Sequence, residues 1–355
     1  MRKKTSVALL FGGRSAEHEV SVRSAAAIFR NLDHKKFRVR SIFIDKRGRW
    51  KEVASPLVPA GELRRSPFSD FLPWDQKRSG PSLGADIYFP VLHGPFGEDG
   101  TIQGLLEMAD VPYVGAGVLG SAAGMDKAVM KTLFLAKGLP VVRYLVVMEA
   151  EWKSSRKIVL KSIRREIPLP QFVKPANLGS SVGITKVTTH SRAEEAIERA
   201  FRYDRKILVE EGIQGREIEC SVLGNDEPEA SLPGEIFPAN EFYDYSDKYL
   251  DGKTGFGIPA DLPPDTIREV KKLAVEAVKA CDAAGMARVD FFLERETDKL
   301  YLSEINTIPG FTEISMYPKL WDASGLPFPR LVERLIKLGF ERHRAKKRRV
   351  ARDGR

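Results

Sequence analysis

Long apolar runs are missing from this 355-residue chain. No stretch approaches the roughly 18 consecutive apolar residues of a membrane-spanning helix, so no span is expected. Cysteine is scarce: Cys220 and Cys281 are the only two. They lie far apart, each on the apolar face of its segment, which favours buried free thiols over a disulfide or a metal site and points to the cytoplasm. An export signal is also missing. MRKKTSVALLFGG has a basic start, but its apolar run is only Val7–Phe11 and no small-residue cleavage site follows, so it reads as a first buried strand. Internal repeats are absent. So is a P-loop: Gly252-Lys253-Thr254 looks like the end of one, but Asp247 stands where its first glycine belongs.

A strong charge bias is absent too, once the net +9 is located. Residues 341–355, ERHRAKKRRVARDGR, carry eight Lys/Arg against two acids, a net +6, which leaves +3 for the body. The sequence predicts a disordered basic tail there. A solvated end is favoured over contact with RNA or anionic lipid, so nucleic acid is not an expected partner.

What is present is a globular composition, 43% hydrophobic and 30% charged, long enough for two or three packed units. The first third alternates strand and helix. SVALLF (6–11) ends in Gly12-Gly13, and a helix over 18–31 offers Val20, Ala27, Ile28 and Leu32 to one face. FRVRSIFI (37–44) and ADIYFPVLHG (85–94) are further strands, and a helix follows near 100–109. The pattern predicts a parallel sheet with crossover helices, whose ligands sit beyond the carboxyl ends of the strands. Gly12–Glu17 and His93–Asp99 lie at such ends. Residues 46–84 read as a long excursion with little core. Further on, helices are expected over 125–137, 191–202, 265–283 and 328–339, the third with Asp265 as N-cap and Gly285 as stop. Strands are expected over 171–174, 182–187, 206–210 and 217–223. GAGVLG (115–120) matches G-x-G-x-x-G, but its preceding strand is short and no acid ends a second strand about 20 residues on, so a dinucleotide site is set aside.

Chemistry concentrates in a hairpin, ARVDFFLERETDKLYLSEINTIPG (287–310). Period-2 geometry puts Arg288 and Asp290 on one face of the first arm, and Glu304 and Asn306 on one face of the second. Their neighbours Val289, Phe291, Leu302 and Ile305 are apolar, and burying such a polar cluster is costly unless it binds something. Oxygen donors without His or Cys suit Mg²⁺, which often also holds substrate phosphates. A metal–phosphate site is therefore preferred to a salt-bridged surface. Lys127 in GMDKAVMK and Lys174 at the end of QFVK are point charges suited to phosphate. FVKPANLGSSVG (172–183) offers a glycine–serine loop of phosphate-wrapping kind. In ILVEEGIQGREIE (207–219), Glu210-Glu211 end a strand and Glu217 follows, acids able to accept from an adenine amino group or ribose hydroxyls. Singly, each is a solvated charge; together, order and spacing carry the case.

That order resembles the ATP-grasp superfamily, and within it the D-alanine–D-alanine ligase family, over about 5–335. GGRSAEHEVS (12–21), LHGPFGEDGTIQGLLE (92–107), MDK, VKPANLGSSVG, FYDYSDKYL (242–250), RVDFF and EINTIPGFT (304–312) occur in family order. The resemblance implies an α/β ATP-grasp fold. A Rossmann-like parallel-sheet domain over 1–120 would be followed by two α+β subdomains clasping ATP, at 121–215 with a glycine-rich flap and at 216–340 with the metal hairpin and an ω-type loop around 240–257. It implies ATP-dependent joining of two D-alanines through a D-alanyl phosphate, for peptidoglycan precursor synthesis in the cytoplasm, by a homodimer. It implies two Mg²⁺ ions, with Mn²⁺ as a substitute, on Asp290, Glu304 and Asn306.

The same resemblance assigns ATP contacts to Lys127, Lys174, Ser180, Ser181, Glu210, Glu211, Ile213, Glu217 and Lys248. It gives Glu17 the ammonium of the first D-alanine, with Ser180 and Tyr249 in a hydrogen-bonded triad and His93 nearby. Arg288 and the amide of Gly310 would form an oxyanion hole. Ser315, Lys248 and Met316 would meet the second D-alanine. Rivals are a D-alanine–D-lactate ligase, another ATP-grasp carboxylate–amine ligase, and a nucleic-acid binder acting through the tail. Tyr249 in the segment Asp247–Tyr249 favours an amine acceptor, and the last rival leaves the hairpin cluster unexplained.

Overall fold

The structure, a computed structural model, describes residues 3–57, 84–237 and 255–353. The first unit is built on β1 (Thr5–Gly12), which runs parallel to β2 (Phe37–Ile44) on one side and to β4 (Ile87–Val91) on the other. Helices cover both faces, so β1 is apolar on both. Val7, Leu9 and Phe11 face α1 (His18–Asn31), while Ala8 and Leu10 face α2 (Thr101–Met108). The strand must then turn sharply. Gly12 sits at φ +91°, and a Cβ there would lie 2.3 Å from the Ile44 carbonyl oxygen. Part of the expected excursion is structured: β3 (Trp50–Val53) pairs antiparallel with β2, and Trp50 packs on the Ala8–Leu10 face. A tryptophan on alternating Lys-Glu was signal enough for an edge strand.

The helix expected over 125–137 is present, and an unexpected one precedes it. α3 (Val118–Met125) and α4 (Lys127–Ala136) are separated at Asp126, whose carboxylate accepts from the Ala128 and Val129 amides as an N-cap. α3 begins inside the GAGVLG segment. A four-stranded antiparallel sheet follows in the order β5 (Tyr144–Met148), β8 (Lys206–Glu211), β6 (Gln171–Pro175), β7 (Thr185–Val187). α5 (Glu149–Glu166) and α6 (Ala193–Ala200) back it through Trp152, Val159, Ile163 and Ile197.

The third sheet is antiparallel, in the order β12 (Gly255–Gly257), β11 (Gly234–Phe237), β9 (Gly215–Gly224), β13 (Gly285–Glu294), β14 (Leu300–Asn306), with β10 (Glu229–Ala230) beside β9. α7 (Pro264–Ala280) lays a stripe of Val270, Leu273, Ala274, Ala277 and Val278 against it. Its cap differs from expectation. Pro263 holds the N-cap position and Asp265 lies in the first turn, where its charge suits the helix dipole. Cys220 and Cys281 are free and buried in this core, and burial pushes both thiols up to about 12.

α8 (Met316–Ala323) and α9 (Phe328–Asp353) return to cover the first sheet through Tyr317, Trp321, Leu331, Leu335 and Ile336. Here the expected disordered tail is corrected: α9 continues past residue 340 as a helix to Asp353. The cause is a partner surface. Arg342 stacks 4.0 Å above the Tyr113 ring, and Glu107 pairs with both Arg342, at 3.4 Å, and Lys346. Asp110 takes Lys347 at 3.0 Å. Charge composition alone could not reveal that two acids far upstream, Glu107 and Asp110, pair with the first part of this stretch.

Candidate active site

Three sheets converge on one cleft. From the first come Glu17, immediately before α1, and His93, just past β4. Glu17 is buried, and the Ser180 hydroxyl donates to its Oε1 across 163 positions of sequence. Nearby Gly94 adopts φ +70°, and a Cβ there would stand 2.5 Å from Glu17 Oε2. Ser180 and Ser181 are themselves left-handed, at φ +52° and +58°, followed by Gly183 at +76°. Successive residues of this kind fold backbone amides into a concave anion-binding nest at some conformational cost.

His93 is a fastener. Its Nδ1 donates to the Ile308 carbonyl at 2.9 Å, and Nε2 accepts from the Ser24 hydroxyl at 3.2 Å. Burial pushes its pKa down, so the ring is neutral. Glu98 was missed by the sequence reading. Its carboxyl accepts from the Gly94 amide at 2.8 Å and the Ile308 amide at 3.1 Å. Burial, then the charge of Glu17, raises it to about 8.

The hairpin delivers the cluster its periodicity predicted. Arg288 pairs with Asn306 and Asp290 with Glu304 in register across β13 and β14, just before a bulge at Asp290/Phe291. Arg288 grips Asp290 in two 2.7 Å hydrogen bonds and Glu219 at 3.0 Å. Glu219, also missed, follows Glu217 at the strand period of two on β9. The Asn306 amide donates to Asp290 at 3.1 Å.

Glu17, His93, Glu98, Ser180, Glu219, Arg288, Glu304, Asn306, Gly310, Ser315 and Met316 line one cavity of about 90 Å³. Ser315 closes it through Thr312, whose amide donates to the Ser315 hydroxyl at 2.9 Å.

A second, larger cavity of about 530 Å³ lies between the other two sheets, lined by Phe172, Lys174, Lys186, Glu210, Ile213 and Glu217 among others. Ile236 borders both cavities. Lys174 Nζ donates to Glu210 Oε2 at 2.6 Å, and Lys131 Nζ, from α4, stands 3.4 Å from Oε1. At Glu210 burial is outweighed by the two lysines and the pKa falls; at Lys174 burial is outweighed by Glu210 and the pKa rises. Lys131 goes the other way, because burial wins. Lys127, one turn before Lys131, donates to the Leu178 carbonyl at 2.6 Å and stands 3.6 Å from Glu304.

Glu211 lines this cavity, but its carboxylate is held by Arg143 at 2.8 and 3.0 Å, so its side chain is committed elsewhere. Ser181 stays on the flap turn and lines neither cavity. Lys248 and Tyr249 lie outside the described residues.

Among the described residues no group of three or more His, Cys, Asp or Glu comes together as a metal cage. Asp290, Glu304 and Asn306 supply two carboxylates and one amide on adjacent strands. That donor set fits Mg²⁺, which needs few protein ligands when phosphates and water complete its shell. No described helix is long and apolar enough to cross a membrane.

Comparisons with known proteins agree with this geometry. A family profile described as "D-ala D-ala ligase N-terminus" matches residues 6–116, and one described as "D-ala D-ala ligase C-terminus" matches 133–337. The D-alanine--D-alanine ligase of Solibacter usitatus is 52% identical over 343 residues, 97% of this chain and 98% of that one. The one from Heliobacterium modesticaldum is 48% identical over 356 residues, 97% of each. Among solved structures, the D-alanine-D-alanine ligase from Coxiella burnetii superposes with a TM-score of 0.84 at 38% identity, covering 98% of this chain and 97% of that one. The VanG D-Ala:D-Ser ligase of Enterococcus faecalis does so at 0.83 and 34%, covering 95% and 100%.

Proposed function

This chain belongs to the D-alanine–D-alanine ligase family, and on that premise we propose how its own residues divide the work. The protein is an ATP-using ligase that joins two D-alanines, on an α/β ATP-grasp scaffold. The first D-alanine sits in the smaller cavity with its ammonium on Glu17, which Ser180 orients from the flap. ATP occupies the larger cavity: the adenine and ribose lie against Phe172, Glu210, the 211–213 backbone and Glu217, and the phosphates reach Lys174, Lys127 and the flap amides. Asp290, Glu304 and Asn306 hold two Mg²⁺ ions, or Mn²⁺ in their place. The metal, when bound, screens phosphate charge from an approaching carboxylate.

The first D-alanine's carboxylate oxygen attacks the γ-phosphorus, and ADP leaves, giving D-alanyl phosphate. The second amine, having lost a proton, then attacks the acyl carbon, and the C–O bond to phosphate breaks. Arg288 and the Gly310 amide face the oxygen that gains negative charge. Ser315 and Met316 receive the second D-alanine, together with Lys248, and Tyr249 completes the Glu17–Ser180 link. Water, which would hydrolyse the acyl phosphate, has to be excluded while it forms.

The observation that carries this reading is the Ser180–Glu17 hydrogen bond, which joins flap and first domain over the cavity that Arg288, Glu304 and Ser315 also line. The product is the dipeptide of peptidoglycan precursors. A cytoplasmic setting accords with two free, buried thiols. We attach a homodimer to the reading: Met108, Leu119 and Val118 are 77%, 64% and 41% exposed on the neighbouring α2 and α3. Light scattering on the purified protein decides it.

The functional test is ADP release with Mg²⁺-ATP and D-alanine, against L-alanine and against D-alanine plus D-lactate or D-serine, with products weighed by mass spectrometry. D-alanyl-D-alanine formed from D-alanine alone, and preferred in the mixtures, is expected. Preferred D-alanyl-D-lactate or D-alanyl-D-serine would overturn the acceptor assignment.

A further inference from the structure

One buried ion in the cleft has no place in the scheme above. Lys131 is 1% exposed, lines neither cavity, and stands behind Glu210 as seen from the nucleotide pocket. Its ammonium lies 3.4 Å from Glu210 Oε1 and 5.9 Å from the centre of the Tyr144 ring, whose residue is the register partner of Glu210 across β5 and β8. Lys174 holds the other oxygen of the same carboxylate at 2.6 Å. One carboxylate thus serves two ammonium groups.

We infer that Lys131 is a positioning residue of the nucleotide site: it keeps Glu210 neutralised when Lys174 turns from that carboxylate to the phosphates. The inference rests on the reading of the larger cavity as the ATP site. Lys174 can meet a phosphate only by sharing or leaving Glu210, and a buried carboxylate abandoned by its partner is strongly unfavourable. A second lysine on the far oxygen removes that obstacle. Its place on α4 is set by the helical period. Lys127 and Lys131 are four residues apart on one face, so Lys127 reaches the flap base and Glu304 while Lys131 reaches β8.

The test is Mg²⁺-ATP affinity by calorimetry, and the KM for ATP against that for D-alanine, in four proteins: wild type, Lys131→Met, Glu210→Gln and the double variant. Lys131→Met is expected to weaken ATP by about twentyfold, with the D-alanine KM changed less than about twofold. In the Glu210→Gln background the same Lys131→Met change is expected to cost less than about threefold, because Lys131 acts only through the carboxylate. ATP affinity equal to wild type in Lys131→Met overturns the inference, as does an equal fold-loss in both backgrounds. Should Lys131→Met alone fail to fold, the two proteins that carry Glu210→Gln, with and without Lys131→Met, still decide: a twentyfold loss between them sinks it. A wild type that does not bind Mg²⁺-ATP would sink the nucleotide reading itself, whereas normal wild-type binding with an indifferent Lys131 sinks the inference alone.

Discussion

The two ends of the cleft are charged in different ways: acids outnumber cations around the smaller cavity and are matched by them around the larger. In the smaller cavity burial, then the nearby charge of Glu17, raises the pKa of Glu98 to about 8. At the larger cavity the acid Glu210 is flanked by Lys174, which lines it, and by Lys131 behind it, and its pKa is lowered. The imbalance at the smaller cavity is costly without a ligand, and its sign states what the ligand must bring. The carboxylate-rich end calls for a cation such as an amino-acid ammonium. At the larger cavity acids and cations are paired, and an anion such as a phosphate has to draw Lys174 from Glu210. Between them Glu304, near Lys127 at 3.6 Å, marks where the two chemistries meet.

Charge changes should therefore damage one end at a time. Lys174→Met removes a charge-assisted phosphate contact, and a fall of about a hundredfold in kcat/KM for ATP is expected. The affinity for D-alanine, measured by protection of the apoenzyme against thermal unfolding, should stay near wild type. A large loss of D-alanine protection would break the separation. Glu17→Gln is the mirror experiment. It should raise the KM for the first D-alanine by roughly thirtyfold and leave the ATP KM within about threefold. Equal damage to both constants would mean that Glu17 holds the flap shut more than it holds an ammonium.

Glu98 gives a smaller effect with a definite sign. Its pKa is raised in the folded protein from an ordinary value of 4.5 to about 8. Stability from its protonated form is complete below 4.5 and drains as pH rises through about 8. Wild type should thus lose more of its thermal midpoint between pH 5 and 9 than Glu98→Gln, by about 5 °C. Parallel curves would show that Glu98 is ionised throughout. Lowering of its pKa by a bound ammonium should flatten the wild-type curve in saturating D-alanine.

Much of this was legible in the sequence, and the limits follow from range. The period-2 faces of the 287–310 hairpin brought Arg288, Asp290, Glu304 and Asn306 together as expected, because strand alternation is local. The α1 bounds followed from helical periodicity. What failed was non-local. Glu98 and Lys131 are single charges whose meaning comes from Glu17 and Glu210, on other elements. Glu211 seemed equivalent to Glu210, yet successive strand residues point to opposite faces, and Arg143 takes the second. The helix α3 was missed because its stretch VLGSAAGM carries Gly120 and Gly124, and glycine is a poor helix former.

The basic end of α9 completes the comparison, since it is charge that serves no ligand. Arg342 combines the Tyr113 ring at 4.0 Å, the Tyr113 carbonyl at 3.3 Å and Glu107 at 3.4 Å. Lys347 has only a solvent-exposed pairing with Asp110. A stacked, half-buried guanidinium contributes about 1 kcal/mol, and an exposed pair close to nothing. Arg342→Ala should lower the unfolding midpoint by about 2 °C, and Lys347→Ala should leave it unchanged. Both should ligate at wild-type rates, because neither touches the cleft. If Arg342→Ala slowed ligation without lowering the midpoint, the helix end would be coupled to the first domain's placement of Glu17, and charge outside the cleft would have to be counted with charge inside it.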